Sequence, residues 1–182
     1  MKTKNIDLMI AETQAHYNAD QIVQGRYWDS VSQKGCFIGC LTHSDSAKEV
    51  TDRFGIDKSL VEILENIYEG LGTEESKEFF KAISLAIGKD GRDLSFVKYA
   101  FLRDALKALP DQHETTQSVI DPVIEGMALL AANIPWPDAA NAYANANAAA
   151  NANAAYATAY DAANAADRKR QATSILTLIE NA

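Results

Sequence analysis

The sequence predicts an all-α protein, with a helical domain over residues 1–134 and an Ala/Asn-rich C-terminal segment over 138–182 that forms one long helix or a helical hairpin. Apolar residues recur three and four apart between recognisable capping residues, the spacing that puts them on one face of a helix. No stretch alternates apolar and polar over a strand's length with β-branched residues on the apolar side. From Ala139 to Ala182 there is neither Gly nor Pro, and 17 of the 28 residues from 139 to 166 are alanine, enough helix propensity to outweigh the interspersed asparagines.

Taken in order, Ile6, Met9, Ile10 and Thr13 give a first amphipathic helix over about 5–19, with His16 and Tyr17 near its end. The period is lost from 20 to 34, an irregular connection that carries Tyr27 and Trp28 into a cleft or the core. Gly35 to Leu41 is apolar enough for a short buried helix or turn. Ser46-Ala-Lys-Glu49 fits a capping box opening a helix over about 46–54, which Gly55 ends. Asp57 caps the next helix, with Leu60, Ile63, Leu64 and Ile67 as its buried stripe and Gly70 or Gly72 as its stop. Thr73 caps another, burying Phe79, Phe80, Ile83 and Ile87, and Gly88-Lys-Asp-Gly91 is a turn. Asp93 or Ser95 caps a helix that Pro110 stops. A further helix from about Glu114 to Asn133 carries Pro122 inside it, where proline removes one ladder hydrogen bond. Pro135-Trp-Pro137 marks a hinge, and Asp138 caps the tail.

An unbroken helix over the tail would reach roughly 65 Å at 1.5 Å per residue, about twice the width of a small domain. Something must therefore cover it or break it. Alanine allows close backbone approach, so the tail packs on its own domain, pairs with a second copy or forms a hairpin; a homo-oligomer is the expectation.

At 182 residues and 47% apolar, the chain can bury a core without disulfides or metal staples. A net charge of −8 and a pI near 4.8 speak against a protein that tracks nucleic-acid phosphates, whose affinity comes from clustered Lys and Arg. The strongest basic run, Arg168-Lys169-Arg170, reads as favourable charge in the later turns of a helix. Asp7, Glu12 and Gln14 interrupt what would be the apolar region of a signal peptide, and no segment approaches the ~20 apolar residues of a membrane span. A cytoplasmic protein is expected, with both cysteines as thiols.

Residues 24–43 concentrate what the remainder lacks: both cysteines, one of the two tryptophans, one of the three histidines and three glycines, at 25, 35 and 39, which let backbone groups approach one another or a ligand. If 35–43 is helical, Cys36, Cys40 and His43 share a face at i, i+4 and i+7. A zinc site there would take a fourth ligand from His16 or Asp29, but the second Cys or His pair of a closed zinc site is missing, so neither metal nor cofactor is assigned. A cysteine activated by His43 is an alternative, without a third orienting group at a recognisable spacing. Two buried structural thiols account for the apolar neighbours Phe37, Ile38 and Leu41.

The composition of the segment suits a pocket for a small planar anion of nucleotide type. Tyr27 and Trp28 would stack, Arg26 and Lys34 would meet charge, and Gln24, Cys36, Cys40, Thr42 and His43 would line the rest. The expected function is small-molecule binding, with a cysteine/histidine-dependent enzyme and an inhibitor of a protein partner, acting through its acidic helical surface, as alternatives.

The run Tyr27-Trp-Asp, four residues, then Lys34-Gly-Cys-Phe-Ile-Gly-Cys-Leu-Thr-His-Ser44, followed by Phe54-Gly-Ile56, Leu64-Glu65 and Ile67-Tyr-Glu-Gly-Leu71, resembles an uncharacterised family of bacterial and phage proteins whose members also end in an alanine-rich tract and an apolar last turn, here Ile175 to Ile179. Asparagines stand in this tract where the family pattern suggests more Ala, Arg or Glu. The resemblance implies a phage or prophage setting; given that setting, in a host cytoplasm, the expected binding function would be to sequester a host nucleotide-derived defence signal. It implies no residue-level mechanism.

Overall fold

The computed structural model describes residues 1–109, 114–137 and 161–182. The helix stop expected at Pro110, the cap at Asp138 and the Ala/Asn tract to residue 160 lie outside the described residues. The described chain is helical, with one two-stranded antiparallel ribbon: α1 (Ile6–Asn18), β1 (Trp28–Asp29), β2 (Lys34–Gly35), α2 (Phe37–Thr42), α3 (Ala47–Phe54), α4 (Lys58–Gly70), α5 (Thr73–Ile87), α6 (Val97–Lys107), α7 (Glu114–Ala131) and α8 (Asp161–Glu180). No helix among the described residues is long and apolar enough to cross a membrane. The chain divides into two compact units, one of Met1–Ser95 with Ala165–Ala182 and one of Phe96–Asn164.

In the first unit the helix ends follow from local chemistry. Ser46 Oγ accepts the amide of Glu49 at 3.3 Å, but the Glu49 carboxylate takes the Ser44 hydroxyl instead of returning to Ser46, whose amide donates to Ser44 Oγ. Gly55 ends α3 at φ 69°, and Asp57 Oδ1 caps α4 by accepting the Ser59 amide at 3.0 Å. The start of α1 is capped from a distance: Asp90 Oδ1 accepts the Ile6 amide at 2.8 Å. Thr3 ties the same turn down, donating to Lys89 O and accepting the Arg92 amide.

Three expected boundaries shift. Thr73 is the first helical residue of α5 and Gly72 its cap; α4 runs through Gly70 and ends at Leu71. Neither Asp93 nor Ser95 caps α6, because Asp93 Oδ1 is occupied by the Ser95 amide in a turn ahead of it and Phe96 stands at the cap.

The core of this unit is built from Ile6 and Met9 of α1, Phe37 and Leu41 of α2, Phe54 of α3, Leu60, Leu64 and Ile67 of α4 and Phe80 and Ile83 of α5, all essentially inaccessible. Phe37 meets Phe80 edge to face, ring centroids 5.6 Å apart. Ile175 and Ile179 of α8 are fully buried as well, so the apolar last turn is covered within its own unit. Lys169 pairs with Glu75 at 2.7 Å, and Arg92 Nη2 donates to Ile179 O and to Glu180 O at 3.0 Å, satisfying carbonyls that the helix end leaves open.

In the second unit α6 lies against α7, which contains Pro122 as the sequence suggested. Val123 and Met127 form the buried centre with Tyr99, Leu106, Leu130 and Trp136 around them. The Trp136 ring lies on Gly126, where any Cβ would overlap it, so the Pro135-Trp-Pro137 stretch folds back onto α7.

Candidate functional site

Segment 20–43 is a compact knot on the first unit, and its glycines explain its shape. The carbonyl of Tyr27 lies directly over Gly35 and Gly39, at positions a Cβ on either would occupy. The Cys36 amide donates to Arg26 O at 2.7 Å and Tyr27 O at 3.2 Å. These glycines therefore serve the first of their two expected uses, letting one backbone approach another. Residues 21–23 run beside β2, with Val23 N donating to Gly35 O and Gly35 N to Gln21 O, while the Cys36 amide clamps Arg26 and Tyr27 to the cap of α2.

That clamp sends the candidate side chains in different directions. Gln24 caps α4, its amide donating to Tyr68 O at 2.8 Å and Leu71 O at 2.9 Å. Arg26 is held by Asp29 at 2.6 Å, and Lys34 stands 3.8 Å from Asp20. Asp29 is kept below the usual carboxylate range by the Ser32 hydroxyl, then by the Val31 amide, with Arg26 adding to them. Thr42 donates back to Ile38 O at 2.9 Å within α2.

Trp28 stacks on His43, centroids 4.0 Å apart and planes 18° from parallel, and His16 meets both rings edge-on at 5.7 Å. His43 is exposed and sits at φ 55°, closing α2 as its C-cap, so it leaves the face that carries the two cysteines.

Cys36 and Cys40 are buried, each 1% exposed. Burial pushes the Cys40 thiol up to about 12. Cys36 is pushed higher still, first by burial and then by the neighbouring Glu65 carboxylate. Both remain thiols at neutral pH, the form that is a poor nucleophile. This geometry gives no support to the Cys–His pairing.

Of the nine predicted site residues, Tyr27 alone lines a hollow that lies beside this segment. Tyr27 is 50% exposed and forms one wall of an open cavity of about 510 Å³, lined further by Ile38, Ser46, Ala47 and Asn66 and by the charged residues Asp45, Lys48, Lys58, Glu62 and Glu65. Lys48 pairs with Asp52, and Lys58 with Glu62 at 2.9 Å.

Glu65 is the residue that the sequence reading missed. It is half-buried, accepts the Ile38 amide at 3.4 Å, lies within 4.8 Å of the Cys36 sulfur, and is raised to about 7, chiefly by burial. A signal was present: Glu65 stands four residues after Val61 and three before Tyr68, both buried, so helical spacing turns it inward.

Among the described residues, the donors close enough to share a metal ion are Cys36, Glu65 and Glu69, whose ligand atoms lie within 4.8 Å of one another. An ion there would first have to displace the Cys36 proton. Glu69 already accepts the Gly25 amide at 2.8 Å. Comparison of the chain with family models, curated proteins and solved structures gave no match.

Proposed function

We propose that this protein binds a small molecule carrying a planar ring in the hollow beside Tyr27, and that binding and release, without bond chemistry, are its task. One observation carries the reading: a half-exposed aromatic ring walls a cavity of about 510 Å³, within the range of small-molecule sites, beside a half-buried ionisable group. A rigid backbone supports that wall, since the Tyr27 carbonyl is locked over Gly35 and Gly39.

The setting is proposed with it: in a phage-encoded protein, such a hollow would remove a host signal from solution. The nucleotide expected from Arg26 and Lys34 fits the ring of this site better than its charge. Arg26 and Lys34 stand beside Asp29 and Asp20, and Lys48 and Lys58 of the lining are paired with Asp52 and Glu62, so a phosphate would have to break an existing pair.

Native mass spectrometry of freshly purified protein, together with a fragment screen followed by amide chemical shifts, tests the proposal. Expected are a carried-over small molecule or ring-bearing fragments that shift Tyr27, Ile38, Ala47 and Asn66, and loss of both in Tyr27→Ala. Trp28→Ala leaves binding in place, because Trp28 stacks on His43 and is not part of the cavity wall. Protein that carries nothing, in a screen that shifts none of these amides, rejects the hollow as a site.

A further inference from the structure

We propose that the hollow selects a positively charged planar ligand, an aromatic or conjugated amine or amidine, whose N–H groups are received by Glu65 while its ring lies against Tyr27. The inference rests on the binding reading above and adds the sign of the ligand's charge.

The lining carries three carboxylates, Asp45, Glu62 and Glu65, against two lysines. Lys58 neutralises Glu62, and Lys48 is turned to Asp52, which is not part of the lining. That leaves Asp45 and Glu65 without a lysine or arginine partner among the described residues. Glu65 is the telling one. A carboxylate withdrawn from water is ordinarily answered by a cation. Among the described residues the Ile38 amide donates to it and the Cys36 thiol lies beside it, both neutral, and the nearby Glu69 adds a second negative group. Burial accordingly holds its proton to about pH 7, well above an ordinary glutamate.

A bound cation would supply the missing charge and make short charge-assisted hydrogen bonds in a place where water competes poorly. The half-exposed Tyr27 ring on the same cavity offers a face to a flat cation, by stacking or by cation–π attraction. A round, strongly hydrated ammonium gains less from such a wall than a flat delocalised one.

Three probes of one shape and three charges test this: benzamidine, benzamide and benzoate, titrated at pH 8 into chelator-treated full-length protein and followed by amide chemical shifts. Chelator keeps any metal from the Cys36, Glu65 and Glu69 cluster out of the comparison. Benzamidine should bind at least tenfold tighter than either other probe, and Glu65→Gln should erase that preference while leaving weak, charge-blind binding. Glu62→Gln, whose carboxylate is already paired, should change the preference less than threefold.

Equal affinity for all three probes, or a preference for benzoate, overturns the cation inference and leaves the hollow standing as a site. A preference for benzamidine that survives in Glu65→Gln overturns the role of Glu65. Binding of none of the three at 10 mM overturns the inference and the binding proposal together. Tyr27→Ala separates wall from anchor: it should weaken all three probes, benzamidine at least as much as the others, and leave part of the benzamidine preference in place, whereas unchanged binding of all three overturns the ring's role.

Discussion

At the scale of single residues, Glu65 ties stability to pH, and it does so in the direction opposite to five other acids of this chain. Its folded-state value of about 7 lies above the ordinary glutamate value near 4.3 because burial disfavours the carboxylate, while the Cys36 thiol and Ile38 amide offset only part of that. The folded state therefore holds this proton more tightly than the unfolded chain. The contribution is fully present below pH ~4.3, is lost as pH rises toward 7, and stays lost above. Asp20, Asp29, Glu75, Glu78 and Asp93 have lowered values and act with the opposite slope, so the test is a difference between variants. Glu65→Gln has no proton to lose. It should be more stable than the parent at pH 8, by on the order of 3 kcal/mol or somewhat less, with the gap closing by pH 4.5. Urea unfolding at four pH values measures this, and a gap independent of pH would show that Glu65 ionises freely in the fold.

At the scale of elements, the knot formed by β1, β2 and α2 depends on two glycines for space and on a third for conformation. Gly39 faces the Tyr27 carbonyl with no room for a methyl group, and the obstacle is backbone, which cannot rotate away. Gly25 has nothing within 4 Å of its would-be Cβ but sits at φ 74°. Gly39→Ala should thus cost 3 kcal/mol or more, roughly the upper range for overpacking, and should loosen Trp28 from His43, seen as a change in tryptophan fluorescence. Gly25→Ala should cost only about 1 kcal/mol, the strain of a left-handed alanine. Equal costs would mean that the ribbon moves aside freely, against the clamp described here.

The same elements show what could be read from sequence. Helix ends with a dedicated residue were legible: Ser46, Gly55 and Asp57 each cap where expected, because a single side chain or a single permissive φ sets the boundary. The ribbon was not legible, because strands of two residues are too short to show a period, and pairing Trp28 with Gly35 is decided by the clamp on α2. The segment was recognised as the place where unusual residues gather. Its partition, with Trp28 on His43, the thiols inside and Tyr27 on a cavity with Glu65, depends on contacts with α1 and α4 that lie far off in sequence.

At the scale of the whole molecule, the first unit is closed by a helix from the other end of the chain. Ala172, Ile175 and Ile179 of α8 are buried, and burying two isoleucines stabilises by roughly 1.5–3 kcal/mol each. Arg92 adds charge-assisted bonds that join the last carbonyls of α5, at Ala86 and Ile87, to those of α8, at Ile179 and Glu180. The two isoleucines alone amount to about 3–6 kcal/mol, comparable with the lower end of a typical domain's ~5–15 kcal/mol. A chain ending at Pro137, which keeps Trp136 on Gly126, should accordingly lose cooperative unfolding, or melt at least 10 °C lower, although every helix from α1 to α7 is still encoded. A synthetic peptide of residues 161–182, added in excess, should restore cooperativity by mass action, and the same peptide with Ile175→Ala and Ile179→Ala should not. Circular dichroism melts with and without each peptide decide it: a truncated chain as stable as the full one, or rescue by the alanine peptide, would show that α8 is an appendage and not the last wall of this core.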